Sequence, residues 1–430
     1  MSGRRRSPMA TTAIALVLNS GVTSILGVVY WIAVARRYDR SDLADNAAVI
    51  STMLTLGGIA QMNLGLSIGA LLPRAGRRAG RLLTDMYLSV TVCSLVVYAA
   101  FVVAIRPHLG YFDRVVPGPI GIVALGAAFA VYNIFVLQDS ALSALGSATV
   151  VPVENAVFGV AKLAIVVLLA TTLPHQGVII SWTVPAAALV VPISWYIWRR
   201  ALPRHTIEPT GAVRLRHAVG PLMGDYAGYL FLVSSTLALP AIAVSLVGAD
   251  RAASFAVPWM ISASLDTVAS NVGIASTIEK SRVGDARMLP TRLFRRIFGL
   301  VAAVAVVVVV ASPLLLRLYG GSYAADGAVV LSLLVLAAPF RAVAVMAMSD
   351  ARARGDLRFI IRIQATTTVI VIGGALMLTR GGDIRGIAVA WIVAQVIAAG
   401  AAVHHRRTVT TVAAPALDQV FVTTAPTSMG

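Results

Sequence analysis

Ionisable side chains inside long apolar runs are the residues of this sequence that could bind a charged ligand or carry a proton. Lys162 and Arg341 each stand in such a run and could hold an anionic group. Asp225 and Asp266 stand in two others, where a buried carboxylate could carry a proton or pair with a cation. An ionisable group at membrane depth costs about 2.5 to 3.5 kcal/mol on insertion scales, so it usually faces a cavity or a partner. We therefore predict ligand binding at all four, with Asp266 and Asp225 as candidates for proton or ion coupling.

Neutral polar residues in the same runs form a second group of candidates. Asn155 precedes Lys162 by seven residues, which places both on one face of a helix. Tyr229 follows Asp225 by one helical turn. The remaining members of the group are Asn19, Asn63, Asn271 and Gln364. Packing is the alternative for each of them, because small polar side chains commonly join transmembrane helices.

Each of the two cations also has a structural explanation. Glu154 lies about two turns before Lys162, so the two side chains could neutralise each other. Arg341 follows Pro339, which should kink its helix and free a carbonyl group. Its long side chain could instead reach back to the membrane surface. The sequence leaves both explanations open.

The composition requires a membrane around these residues. Of the 430 residues, 58% are hydrophobic and 12% charged, and the mean hydropathy is +0.85. An apolar run of about 20 residues spans the roughly 30 Å of membrane hydrocarbon. Because the runs are continuously apolar and do not alternate, they indicate helices and exclude a β-barrel. We predict an all-α polytopic membrane protein of about twelve spans, near 10–35, 43–72, 84–105, 118–137, 151–173, 177–198, 220–247, 252–275, 294–317, 325–349, 359–379 and 386–405.

The basic residues predict the orientation of these spans. The formal net charge is +17, and with the amino terminus inside, 24 of the 35 Lys and Arg residues fall in inner segments. Such an excess is typical of cytoplasmic loops and places both termini in the cytoplasm. The charge is thereby explained by topology and by anionic lipid, so we expect no nucleic-acid partner.

The two halves of the chain repeat each other. Three residues recur 209 positions later with the same spacing: Gly146, Gly177 and Trp182 return as Gly355, Gly386 and Trp391. Repeated halves are typical of transporters that move one half against the other around a central site. We predict two pseudo-symmetric six-helix lobes, 1–198 and 220–407, with a cytoplasmic linker at 199–219 and a disordered tail at 408–430.

The repeat also points to the substrate site. It pairs Asn155 with Gln364, and it pairs polar residues on spans 1 and 2 with those on spans 7 and 8. Lys162 and Arg341, however, have no charged counterpart in the other half. These unmatched charges are where we expect a substrate to bind.

Motifs of known enzymes are missing from the sequence. It has no P-loop and no HExxH motif. Its outer loops are short, the longest being 106–117, and its single cysteine, Cys93, lies within a span. We therefore expect neither catalysis, nor a cofactor, nor a metal site.

Four features give the chain a family resemblance. They are the basic inner loop after Leu72-Pro73, Leu-Tyr-Gly-Gly-Ser-Tyr-Ala-Ala-Asp-Gly at 318–327, Ala353-Arg-Gly355, and Gly386-Ile-Ala-Val-Ala-Trp391. In these the chain resembles the polysaccharide transporter branch of the MATE-like multidrug/oligosaccharidyl-lipid/polysaccharide exporter superfamily. The resemblance implies a flippase of a bacterial plasma membrane with two lobes arranged in a V. Its central cavity would take the headgroup of an undecaprenyl-diphosphate-type glycolipid.

The resemblance also implies roles for the candidate residues. Lys162 and Arg341 would neutralise the diphosphate or an acidic sugar. The sugar path would be lined by Asp225, Asp266 and Tyr229, with H⁺ or Na⁺ as coupling ion. Implied partners are membrane lipids and a glycan polymerase or glycosyltransferase. The alternative is a cation-coupled multidrug exporter of the same fold, although such relatives commonly carry a carboxylate in the first span, where this chain has Asn19 and no acid.

Overall fold

The computed structural model describes residues 8–204, 215–263, 291–379 and 381–408. Within these ranges the side chains of 8–20, 66, 70, 74, 215–225, 293, 325–326 and 353 are not described. These residues form helices and no strand. In the first half, the helices are α1 (Pro8–Arg37), α2 (Arg40–Gln61), α3 (Leu64–Leu71), α4 (Ala79–Ala104), α5 (Gly110–Val115), α6 (Gly118–Ala144), α7 (Val151–Leu169), α8 (Gly177–Tyr196) and α9 (Leu202–Arg204). In the second half they are α10 (Leu215–Thr236), α11 (Leu239–Val247), α12 (249–263), α13 (Thr291–Tyr319), α14 (Gly321–Leu336), α15 (Ala338–Ala353), α16 (Leu357–Leu378) and α17 (Arg385–Thr408).

The predicted all-α membrane architecture is confirmed. Within the described residues, ten helical segments are long and apolar enough to cross a membrane. Large apolar side chains also point outward: Ile120 is 85% exposed, Val103 79% and Val310 78%. An outer surface of this kind is stable against lipid, because the helical backbone satisfies its own hydrogen bonds there.

The second predicted span is not one helix, so the prediction of a continuous run over 43–72 was wrong. The helix stops at Gln61, and Met62 and Asn63 both adopt the left-handed conformation, with φ of 43° and 61°. Asparagine tolerates this conformation better than most residues. The Gln61 amide donates to the Asn133 side chain of α6 at 2.9 Å, which holds the end of α2 in place.

The tenth predicted span is interrupted where its proline predicts. Helix α14 ends at Leu336, and α15 starts at Ala338 with Pro339 in its first turn. Proline is tolerated there because the first turn of a helix has no partner for its N–H groups. A new helix therefore begins just before Arg341.

The chain forms two compact units. The first comprises Met1–Thr210, Thr236–Trp259 and Pro313–Ala328, and the second comprises Gly211–Ser235, Met260–Ser312 and Val329–Gly430. In the first unit α1 packs on α7, α7 on α8, and α6 on both α4 and α8; in the second, α17 packs on α15 and α16. The predicted lobes, 1–198 and 220–407, were defined by chain order alone and stay a prediction.

Polar contacts bind the later segments into the first unit. The Arg36 guanidinium donates to the carbonyl oxygens of Leu318 and Arg317, at 2.7 and 3.0 Å. Arg40 donates to the Ser254 hydroxyl at 2.6 Å and lies over the Tyr323 ring, 5.1 Å from its centroid. The basic end of α1 and start of α2 therefore connect to both later segments.

The loop predicted at 106–117 contains the short helix α5. Arg114 in α5 makes a bidentate contact with Asp45 of α2, with one N–O distance of 2.8 Å. Asp45 is 3% exposed, and Arg114 supplies its counter-charge. The Tyr111 hydroxyl lies 2.8 Å from the Thr52 hydroxyl, which fixes α5 at a second point.

The sequence repeat is a structural repeat. Gly146 and Gly355 both have positive φ, 74° and 72°. The residue after each glycine donates to the carbonyl oxygen five residues back: Ser147 to Leu142 at 2.8 Å, and Asp356 to Ala351 at 2.9 Å. This is the helix-ending pattern in which glycine is favoured, and it occurs at the same offset of 209 residues in both halves.

The second repeated glycine sits against the preceding helix in each half. A side chain at Gly177 would meet Leu169, and one at Gly386 would meet Leu378, two contacts that are again 209 residues apart. Each glycine thus lets its helix start close to the end of the one before. As a result, the tryptophan five residues later stands at nearly the same position along its helix in both halves.

Replacing either turn glycine should destabilise the protein. We expect Gly146→Ala and Gly355→Ala each to lower the free energy of unfolding by about 1 to 2 kcal/mol, because alanine is strained at positive φ. Gly373→Ala is the matched control, since it lies within α16 and an added methyl group would meet nothing within 4 Å. Helix propensity should make this control neutral or stabilising. Thermal unfolding in detergent checks the contrast, and equal midpoints for the three variants would contradict it.

A contact between an exposed histidine and an aspartate should make the free energy of unfolding depend on pH. His175 lies 2.7 Å from Asp42, and this carboxylate raises the histidine pKa above its usual 6.5. The pair therefore stabilises the fold fully below pH 6.5, and this contribution is lost as pH rises through the raised pKa. We expect the difference in unfolding midpoint between wild type and His175→Gln to be small and confined to the acidic side. Asp42→Asn should show the same loss, whereas a difference that grows in alkaline buffer would refute the pairing.

Candidate functional site

Lys162 is buried among aromatic rings in the first unit. It is 8% exposed and projects from the middle of α7. Its Nζ lies 4.2 Å from the Trp182 ring centroid, 4.4 Å from Tyr30 and 5.2 Å from Phe158. We call these three rings the aromatic cage.

Each wall of the cage is positioned by its own helix. Phe158 precedes Lys162 by one turn of α7, and Trp182 stands five residues after the repeated glycine that starts α8. Tyr30 comes from α1, and its hydroxyl is fixed 2.8 Å from the Ser181 hydroxyl of α8. The cage therefore depends on the packing of α1 and α8 against α7.

The cage stabilises the positive charge but leaves its hydrogen bonds unmade. A cation over an aromatic face gains about 0.5 to 2 kcal/mol, the larger value applying when water is excluded. The ammonium group also carries three N–H donors. No hydrogen bond or ion pair of its Nζ is present in the described part of the chain, and the charge that acts on Glu154 is that of Asp139, so the explanation by neutralisation with Glu154 does not hold. An anion with oxygen acceptors is the ligand that such a group lacks.

A second buried group in this unit is acidic. Glu154 is 2% exposed, and neither of its carboxylate oxygens has a hydrogen-bond partner. It lies within electrostatic reach of Asp139 on α6 and of Tyr87 on α4, whose hydroxyl is also unpartnered. Asn155 donates to one oxygen of Asp139 at 3.1 Å, and the other oxygen is buried without a partner. We call Asp139 and Glu154 the acid pair.

The acid pair and the caged cation are separate sites on the same helix. Eight residues of α7 between Glu154 and Lys162 correspond to about 12 Å along the helix axis. Two carboxylates near each other in an apolar interior cannot both stay ionised without a cation. One proton or one bound cation would relieve this repulsion.

In the second unit, Arg341 lies over the other repeated tryptophan. Its guanidinium carbon is 5.2 Å from the ring centroid of Trp391. One turn further along α17, Gln395 is 2% exposed, and its amide nitrogen has no hydrogen-bond partner. Gln364 on α16 is buried as well. This unit therefore also holds a cation on tryptophan, and it has buried amides on the neighbouring helices.

The two halves reach this arrangement from different sequence positions. Lys162 corresponds by the repeat to Val371, and Arg341 corresponds to Tyr132, which is uncharged. Tyr132 nevertheless contacts Trp182, with ring centroids 6.3 Å apart. The position that Tyr132 and Arg341 share therefore touches the repeated tryptophan in both halves.

The structure gives a position for some of the other predicted residues and does not describe the side chains of the rest. Asn155 binds Asp139, and Asn63 forms the corner between α2 and α3. Tyr229 is half-buried in α10, next to Gly228, which packs on Ile360. The side chains of four candidates lie outside the described residues: Asn19, Asp225, Asp266 and Asn271. Their predicted roles in binding and ion coupling stay predictions.

Sequence reasoning missed the aromatic cage, the second carboxylate of the acid pair and Gln395. Phe158 was detectable, because it stands one helical turn from Lys162. Asp139 was also visible as an acidic residue near the end of an apolar run. Tyr30 is 132 residues from Lys162 in the sequence, and no spacing rule connects two positions that far apart.

The fold is that of known membrane transporters. No family model matches the sequence, and no curated protein matches it. Among solved structures, the chain is similar to an inward-facing multidrug resistance MATE family transporter of the MOP superfamily, with a TM-score of 0.68 and 13% identity over 90% of this chain and 93% of that one. It is also similar to the lipid II flippase MurJ in an inward closed conformation, with a TM-score of 0.66 and 11% identity over 93% and 88% of the two chains.

A third similar structure is a MOP superfamily transporter from Pyrococcus furiosus, described as having a binding pocket of reverse polarity that suggests a different function. Its TM-score is 0.59, with 11% identity over 93% of this chain and 94% of that one. Likeness at these identities shows the fold, which is the two-bundle MATE-like fold of MOP superfamily transporters.

Neutralising the acid pair should stabilise the protein. We expect Glu154→Gln to raise the free energy of unfolding by about 1 kcal/mol or more, because an amide can donate to the unpartnered oxygen of Asp139. Asp85→Asn is the control, since Asp85 is an exposed acid on α4 and should change little. Thermal unfolding of the two purified variants measures the effect. A loss of stability in Glu154→Gln alone would show that Glu154 has a partner.

Proposed function

We propose that this protein is a flippase. It moves a polyprenyl-diphosphate-linked oligosaccharide or a related glycolipid from the inner to the outer leaflet, for the assembly of cell-surface polysaccharide. It works by alternating access in the plasma membrane of a bacterium, with both termini in the cytoplasm. The transporter fold supports the mode of action, and the charges inside the helices support the substrate class.

The single observation that carries the proposal is the caged ammonium of Lys162. It is a cation in the middle of a membrane-spanning helix, without a hydrogen bond or ion pair in the described residues. A diphosphate supplies anionic oxygens that can accept hydrogen bonds from the ammonium group, and the rings hold this group in place before the substrate arrives. A cationic drug would be repelled by the same group.

Arg341 supports the same substrate class from the second unit. A guanidinium group binds phosphate or carboxylate through two parallel hydrogen bonds. Gln395, with its free amide donor, lies on the same helix as the tryptophan under Arg341. A diphosphate or an acidic sugar would use both kinds of donor.

The acid pair supports coupling to an ion. When a proton or cation occupies Asp139 and Glu154, their mutual repulsion is relieved, and when it leaves, the repulsion returns. Such a change in charge, about two turns of α7 from Lys162, can bias the lobe between two states. H⁺ or Na⁺ is therefore the proposed coupling ion, alongside the earlier candidates Asp225 and Asp266. A glycan polymerase or glycosyltransferase is the proposed partner.

The acid pair also favours one alternative, a cation-coupled multidrug exporter of the same fold. Buried carboxylates attract cationic compounds as well as coupling ions. This alternative requires Lys162 to be a structural group whose charge has no role in transport. Removing that charge therefore separates the two functions.

Lys162→Gln should slow the flipping of a lipid-linked oligosaccharide about tenfold or more, the effect of losing a charge-assisted contact worth about 1.5 to 3 kcal/mol. The assay uses protein reconstituted in vesicles, with a labelled polyprenyl-diphosphate oligosaccharide made accessible to a membrane-impermeant glycosidase only after flipping. Arg200→Gln is the control, because Arg200 is an exposed cation in the π-helical turn that follows α8.

The same vesicles decide between the two functions. If the protein is a flippase, the wild-type protein should export no cationic dye, or Lys162→Gln should leave the rate of dye export unchanged. Dye efflux by wild-type protein without glycolipid flipping would establish the exporter. Wild-type flipping that survives both Lys162→Gln and Arg341→Gln in correctly folded protein would refute the assigned site.

A further inference from the structure

We propose that a groove between α16 and α17 in the second unit binds the phosphate headgroup of an anionic phospholipid from the inner leaflet. The proposal concerns a lipid that stays with the protein, and it does not depend on which substrate the protein transports. It rests on the shape of the groove, on its charge and on a buried arginine beside it.

The groove has a volume of about 270 Å³ and lies near the end of α17 and the start of α16. One end is polar and the other is apolar. The rings of Phe359 and His405 stack with centroids 3.9 Å apart and an interplanar angle of 9°, which gives the polar end a flat wall. The lining is completed by Arg362, Ile363, Thr366, Ile397, Ala398, Ala401, His404 and Thr408.

The polar end carries uncompensated positive charge. The charge is that of Arg362, which is exposed at the groove and forms no ion pair in the described part of the chain. The exposed imidazole of His404 lines the groove as a further polar group. The acids nearby are already engaged. Asp350 binds Arg406 at 2.6 Å, and Asp356 caps α16 through the Phe359 N–H at 3.2 Å and also lies 3.2 Å from His405.

A buried guanidinium beside the groove lacks an anion. Both terminal nitrogens of Arg354 are buried, and neither has a hydrogen-bond partner. Arg354 lies within electrostatic reach of His405, which lines the groove. Because a buried donor without an acceptor costs about 1 to 3 kcal/mol, the structure is incomplete without an acceptor at this point. A phosphate group supplies several acceptors for Arg354 and a negative charge beside the exposed cation of Arg362.

The apolar end indicates that the phosphate belongs to a lipid. Ala401, Ala398 and Ile397 lie progressively farther from the basic end of α17, and Ile363 lies on the facing helix α16. A soluble phosphate would gain nothing from this wall, whereas the first carbons of an acyl chain would pack on it. By the excess of basic residues in inner segments, this end of α17 faces the cytoplasm. The occupant is therefore a phospholipid of the inner leaflet.

Native mass spectrometry of the delipidated full-length protein tests the site, with phosphatidylglycerol and phosphatidylcholine of identical acyl chains as probes. We expect wild-type protein to retain phosphatidylglycerol at least about fivefold more than phosphatidylcholine, in line with the contribution of one or two basic residues to anionic-lipid binding. Arg354→Gln combined with Arg362→Gln should abolish this preference. Arg407→Gln is the matched control, because Arg407 is an exposed cation of the same helix end and does not line the groove.

The single variant Arg362→Gln keeps the test valid if the double variant does not fold, since Arg362 is exposed and its loss leaves the packing intact. It should reduce the preference at least about twofold. Equal retention of the two lipids by wild-type protein, or an equal loss in Arg407→Gln, would overturn the proposal. Soluble glycerol phosphate is the last arm: if it raises the unfolding midpoint as much as phosphatidylglycerol does, the occupant is a soluble phosphate and the lipid assignment is wrong.

Discussion

The absence of water in the membrane interior is the constraint on which the rest of this structure depends. A charge there must find an ion, a hydrogen bond or an aromatic face, because solvation by water is not available. The ammonium group of Lys162 lies against three aromatic rings, and the guanidinium group of Arg341 lies over the ring of Trp391. An aromatic face stabilises a cation without neutralising it. The ammonium group of Lys162 therefore keeps its positive charge among the rings, which a salt bridge to a carboxylate would neutralise.

The contrast with the other charges of the chain supports this interpretation. Asp45 and Asp350 are as deeply buried as Lys162, and each is bound directly by an arginine. Those pairs join helices, and truncating one partner would leave an uncompensated charge. The chain thus uses direct ion pairs where it fixes structure. Lys162, lacking such a partner, has a charge that structure alone does not explain.

Much of the fold could be predicted from the sequence, because it depends on local properties of the chain. Apolar runs fix the helices, and the recurrence of Gly146 as Gly355 fixes two turns that the structure shows to be hydrogen-bonded alike. The break at Asn63 escaped prediction, since two non-glycine residues in the left-handed conformation leave no pattern in hydropathy. Lys162 was identifiable as a lone cation in an apolar run. Its cage was not, because Tyr30 is brought to it only by the packing of α1 on α7.

The repeat explains why a cation meets tryptophan in both halves although the cations are not themselves repeated. Gly177 and Gly386 each let a helix begin against the end of the preceding one, which places Trp182 and Trp391 equivalently within their halves. Tryptophan is the best aromatic acceptor for a cation, and several helices surround each ring. Any of these neighbours can supply the charge, α7 in one half and α15 in the other. The duplicated element is therefore the tryptophan ring on which the cation lies. The cation itself differs between the halves: it is the ammonium group of Lys162 in one and the planar guanidinium group of Arg341 in the other. Since an ammonium and a guanidinium bind anions with different geometry, each half offers its own kind of anion contact beside its tryptophan.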